Sequence, residues 1–101
     1  MKQDNYMVTA QVWLYPGPAA WYFVTLPKKE ADKIRDIYGM HAKGWGSLPI
    51  TVTVGSTSWD TSIFPDKKTG SYLLPIKAQV RKAENISEND IITLSIEVLI
   101  K

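Results

Sequence analysis

The side chains that could do chemistry are few and scattered. His41 is the single histidine, and with no cysteine in the chain it cannot assemble an ordinary zinc or iron ligand set. Nucleophilic catalysis would have to use His41 as its base, and no serine sits in a Gly-x-Ser-x-Gly elbow. Gly44-Trp45-Gly46-Ser47 places glycines beside a serine, but it lacks both the elbow's strand–turn–helix setting and the lysine of a phosphate loop. The carboxylates do not pair at a useful spacing. Asp32 and Asp36 fall on the solvent side of a helix, and Asp60 and Asp66 on a strand and the turn after it. The residues thus offer no catalytic set, no metal site and no cofactor motif, and they argue against an enzyme.

What remains suits binding. Trp45 lies between two glycines, and Trp59 opens a strand among the hydroxyls of Thr57, Ser58 and Thr61. Lys77 and Arg81 extend from a helix. Aromatic walls, a few hydroxyls and a guanidinium at the mouth of a barrel would hold a small anionic or planar molecule. Trp45, Trp59, Lys77 and Arg81 are therefore the candidate ligand-binding residues. The competing expectation is that both indoles plug the barrel and Arg81 pairs with Glu84, one turn on. Nucleic acid is the second partner class. Lys28, Lys29 and Lys33 cluster on one helix, Lys67 and Lys68 in a turn, and Lys77, Arg81 and Lys82 on another helix. Glu30, Asp32, Asp36 and Glu84 dilute them, and a net charge of +2 supports weak, sequence-independent contact at most. Tyr22-Phe23-Val24 is an aromatic strand without the basic residue and glycine of an RNA-stacking motif.

The elements that must position these residues follow from periodicity. Val8, Ala10, Val12 and Leu14 alternate with Thr9, Gln11, Trp13 and Tyr15, and Pro16-Gly17-Pro18 ends the strand. Ala20 to Leu26 forms a second strand, with Trp21 and Phe23 on one face and Tyr22 and Val24 on the other. Apolar on both faces, it is expected to be central or shared between layers. Ile50, Val52 and Val54 alternate with threonines; Trp59, Thr61 and Ile63 share a face opposite Asp60, Ser62 and Phe64; Tyr72 to Leu74 is short. In the last strand Ile92, Leu94, Ile96, Val98 and Ile100 point inward. Two stretches switch to helical period: Ala31, Ile34, Ile37 and Tyr38 after Pro27, stopped by Gly39, and Ile76, Val80 and Ala83 after Pro75, stopped by Asn85. Neither has a good side-chain N-cap. Leu26-Pro27 and Leu74-Pro75, 48 residues apart and each followed by an early lysine, suggest two related β-β-α halves closing one barrel.

A chain of 101 residues fits one domain, residues 1–101. The absence of cysteine rules out a disulfide framework, and the polar start Met1-Lys2-Gln3-Asp4-Asn5 has no signal-peptide character, so a cytoplasmic location is expected. Thr93, Ser95 and Glu97 break the longest apolar tract, so no membrane span is expected.

From Gly44-Trp45-Gly46-Ser47 through Ile50-Thr51-Val52-Thr53-Val54-Gly55 and Trp59-Asp60-Thr61-Ser62-Ile63-Phe64-Pro65, the chain resembles the family catalogued as domain of unknown function 1905. The likeness continues through Gly70-Ser71-Tyr72-Leu73-Leu74-Pro75-Ile76-Lys77 and Val80 to Ile86, and Trp21 to Pro27 fits as well. The resemblance implies a mostly β fold: a closed six-stranded double-split β-barrel with two short capping helices. It implies no activity. The same fold occurs in dimeric DNA-binding regulators, which by itself says little about function. One departure is Asn89-Asp90, where the family often reads Gly-Asp; asparagine tolerates the left-handed conformation, so the turn is expected to survive.

Overall fold

A computed structural model describes residues 5–99 of the chain. Six strands, β1 (Asn5–Tyr15), β2 (Trp21–Thr25), β3 (Leu48–Val54), β4 (Thr57–Asp66), β5 (Ser71–Pro75) and β6 (Ile91–Val98), close into a barrel in the order β1-β2-β5-β4-β3-β6. All neighbours are antiparallel. Two strands are long because each serves two partners. β1 pairs with β6 through Asn5–Gln11 and with β2 through Val12–Tyr15. β4 pairs with β3 through Thr57–Ile63 and with β5 through Phe64–Asp66. The barrel is thus two sheets, β1-β6-β3-β4 and β1-β2-β5-β4, joined along the two long strands.

The period-2 pattern determines what fills it. Val8, Val12, Val52, Val54, Leu94, Ile96 and Val98 are buried in one cluster, and Ile92 packs against its edge. Val24, Leu48, Ile50, Ile63 and Leu74 complete the interior. Ile100, expected to point inward, lies outside the described residues.

Helix α1 (Lys28–Tyr38) buries Ala31, Ile34 and Tyr38, and the six-residue α2 (Ala78–Ala83) buries Val80. Neither has a side-chain N-cap bond. A missing cap costs about 0.5–2 kcal/mol, whereas fully burying one large apolar side chain such as Ile34 stabilises by about 1.5–3 kcal/mol. For α1, docking outweighs capping. No helix of the described residues is long and apolar enough to cross a membrane.

The turns are partly as expected. Asn85 (φ 54°) and Asn89 (φ 74°) take the left-handed conformation that stops α2 and turns the chain into β6. Gly39 does not: its φ is −56°, its N–H bonds to the Arg35 carbonyl, and the chain runs on into a 3-10 turn at Gly39–His41. A second such turn, Gly44–Gly46, leads to β3.

Candidate functional site

The two sheets carry opposite outer surfaces. On β1-β6-β3-β4, hydroxyls face one another: Thr9 and Thr93 at 3.0 Å, Thr53 and Ser58 at 2.7 Å, and Thr51 donating to Asp60 at 2.7 Å. On β1-β2-β5-β4 the corresponding positions are aromatic on β1 and at the start of β2, and mostly apolar beyond. Trp13 pairs with Phe23 and Tyr15 with Trp21 across β1 and β2. The same row continues through Pro75 and Leu73 of β5 to Phe64 of β4.

Four of these rings form one group. Trp21 stacks on Phe23 (centroids 6.2 Å, planes 11° apart), Trp13 lies 5.2 Å from Phe23, and Tyr15 meets Phe23 edge-on at 6.2 Å. Trp13 is held in place because its indole N–H donates to the Thr25 hydroxyl at 3.0 Å. The outer members remain open, Trp21 at 55% and Tyr15 at 53% of full exposure. Tyr15, Trp21 and Phe23 line a shallow apolar cleft of about 270 Å³. The two-sided apolar pattern of β2 therefore reflects an open aromatic face, where the sequence suggested a second layer.

The four residues singled out from sequence are dispersed. Trp45 is 94% exposed, so it plugs nothing. Its turn rests on the far end of β4, where a β-carbon on Gly46 would come within 2.9 Å of the Pro65 ring. Trp59 stands six positions earlier on the same strand, about 20 Å away along it; it is half-buried opposite Val52 and packs on the core. Trp45 and Trp59 do not share a mouth. Arg81 does not pair with Glu84. Its guanidinium lies 3.8 Å from the centroid of the Tyr22 ring and its Nε donates to the Ile76 carbonyl at 3.1 Å. Glu84 instead accepts the Thr57 hydroxyl. Lys77 is exposed at the start of α2. The Ile76 N–H bonds to the Tyr22 carbonyl at 2.8 Å, which extends the β2–β5 register and sets Lys77 opposite Trp21, at the edge of the aromatic face.

At the other end of the molecule Arg35 mirrors Arg81. Its guanidinium lies 5.3 Å from the Tyr72 centroid and donates to the Gly70 carbonyl (2.6 Å) and to Asp32 (3.0 Å). The Lys28 hydrogen bond, reinforced by Arg35, holds the exposed Asp32 carboxyl below its usual range. Burial pushes the Tyr72 phenol above its ordinary value, and the nearby Arg35 charge only partly offsets this. No three His, Cys, Asp or Glu side chains gather among the described residues.

Periodicity within single strands does not reveal the ring group, because Trp13, Tyr15, Trp21 and Phe23 come from two strands. The available signal was that every outward position from Trp13 to Tyr15 and from Trp21 to Phe23 is aromatic, across a Pro-Gly-Pro turn that makes the two strands neighbours. The family model described as Domain of unknown function (DUF1905) matches residues 9–96, which include all four rings. No curated protein matches the chain.

Proposed function

Since the chain belongs to the family described as Domain of unknown function (DUF1905), a name that specifies no ligand, we propose from its surface chemistry that the domain is a non-catalytic binding module. It holds planar rings by stacking on Trp13, Tyr15, Trp21 and Phe23. One observation carries this reading: four aromatic side chains grouped on an outer sheet face, the outermost pair more than half exposed. Burying these rings would remove a large apolar area from water, yet the fold leaves them open while covering far smaller side chains. Pre-positioning also favours binding, because the Trp13–Thr25 bond removes ring freedom that a ligand would otherwise have to restrict. Lys77, opposite Trp21, adds a cation at the edge for an anionic substituent. The change of partner along β1 and β4, with α1 and α2 docked on the barrel, supports reading the scaffold as the double-split type.

The test uses adenosine as a planar, uncharged probe and follows the four indole N–H resonances by NMR. The Trp21 and Trp13 signals should shift and saturate while Trp45 stays still. Shifts confined to Trp45 or Trp59 would return the site to the positions read from sequence, and no shift at all would sink the stacking proposal.

A further inference from the structure

We propose that the natural occupant of this face is single-stranded nucleic acid, its bases laid on the rings and its phosphates held by lysines at the two ends of the sheet. The inference rests on the stacking reading and adds the distribution of charge. All ten lysines and arginines among the described residues lie in helices, turns and loops; none is on a strand. They are not spread evenly around the barrel. Lys77 stands at one end of the aromatic face, opposite Trp21. At the other end, past Leu73 and Phe64, the β4–β5 turn presents Lys67 and Lys68, both exposed, while Lys28, alongside the same turn at Gly70, is paired with Asp32. The acids there are already engaged: Asp32 by Lys28 and Arg35, and Asp66 by the Thr69 hydroxyl and the Lys68 backbone N–H.

The opposite sheet differs on both counts. Its outward strand positions carry hydroxyls, Met7, Ile91, Asp60 and Glu97, and the cation at its edge, Lys33 beside Asn5 and Met7, shares that cleft with Glu30 and Asp36. A polyanion is therefore steered to the aromatic side and away from the hydroxyl side. The spacing suits an extended strand. Trp21 to Thr25 spans about 13 Å along β2, with rings between and cations beyond each end. Duplex DNA fits less well, because paired bases present no face to the rings; open bases do. Stacking of this kind is tolerant of sequence, in keeping with a module that has no hydrogen-bonding pocket among its rings.

The experiment is fluorescence anisotropy with labelled oligothymidylate and oligouridylate of about twelve nucleotides, compared with a duplex and with a heparin oligosaccharide. Salt is varied between about 50 and 200 mM. The single strands should bind more tightly than the duplex or heparin. Trp21→Leu, which keeps an apolar strand residue without a stacking plane, should weaken binding about tenfold or more. Lys77→Gln should lower the slope of log affinity against log salt by about 0.7. Thermal melts of both variants confirm that they fold. Heparin binding as tightly as the strands, or Trp21→Leu without effect, would overturn the proposal. Adenosine shifts at Trp21 with no strand binding would refute the strand and leave the stacking module standing. A dimer that Trp21→Leu makes monomeric, with no strand bound, would assign the face to a second copy of the chain.

Discussion

Trp45 holds φ at 67° between two glycines, in a turn closed by bonds from Gly46 N–H to the Lys43 carbonyl and from Ser47 N–H to the Gly44 carbonyl. A left-handed conformation costs a residue with a β-carbon about 1–2 kcal/mol, and a ring this exposed recovers little of that by burial. Glycine removes the strain but gains unfolded-state entropy worth about 0.4–1 kcal/mol. Trp45→Gly should therefore leave stability unchanged or raise it by up to about 1.5 kcal/mol in urea melts; a clear loss would show that the indole has an anchoring contact. Gly55 is the reverse case. Its φ is 58°, and a β-carbon there would overlap Glu84 Oε1, on a side chain that cannot withdraw without giving up Thr57. Gly55→Ala should cost about 1–3 kcal/mol, and a neutral result would mean that Glu84 contributes nothing to the β3–β4 turn.

The helices are attached to the barrel in the same way twice, each laying an arginine over a tyrosine of the strand that leads into the other helix. Arg81 covers Tyr22 of β2, and Arg35 covers Tyr72 of β5. Arg81→Ala loses the stack and the bond to the Ile76 carbonyl, and should destabilise by about 1–3 kcal/mol. Arg81→Lys should rescue this only in part, since an ammonium cannot lie flat on the ring. If Arg81→Ala melts like the parent, the clamp is not structural and Arg81 is free for a ligand. Tyr72 gives the second clamp a pH signature. Its folded pKa is raised, so its contribution is fully present below the ordinary phenol value near 10 and is lost as pH rises through the higher folded value. Tyr72→Phe should flatten the fall in stability above about pH 10 relative to the parent, read from urea midpoints across that range. An unchanged alkaline limb would assign the loss to other groups.

Across the whole molecule the barrel order maps onto itself, reversed, when β1, β2 and β3 are exchanged with β4, β5 and β6. Each half thus has one long strand that changes sheets and one short strand running into a helix. Val24 pairs with Leu74, the Leu26 N–H bonds to the Tyr72 carbonyl, and the Ile76 N–H bonds to the Tyr22 carbonyl. The pairing therefore relates positions 50 apart, with α1 and α2 both beginning on that offset, whereas the Leu-Pro echo in the sequence is set at 48. The echo marked two related halves but misplaced their register by two residues. Because closure depends on β6 reaching β1 and β3, Leu94→Ala should cost about 2–5 kcal/mol. Ile91→Thr, on the same strand but 71% exposed, should stay within about 0.5 kcal/mol. Similar losses for the two would contradict the inward assignment of β6.

Strand number, the inward residues and the left-handed asparagines were legible in the sequence because each depends on local chemistry: a period of two, a turn residue's tolerance of positive φ, a proline's fixed backbone. Val52, Leu94 and Asn85 needed no knowledge of their neighbours. The open aromatic face, the exposure of Trp45 and the partner of Arg81 did need it. Alternation says that Trp21 and Phe23 share a side, but not whether another layer covers that side. That is decided by which strands lie beside β2, namely β1 and β5, and by where α1 and α2 dock. Arg81 met Tyr22 rather than Glu84 for the same reason: β5 brings α2 beside β2, where a ring 59 residues earlier in the chain is nearer than the acid one turn along.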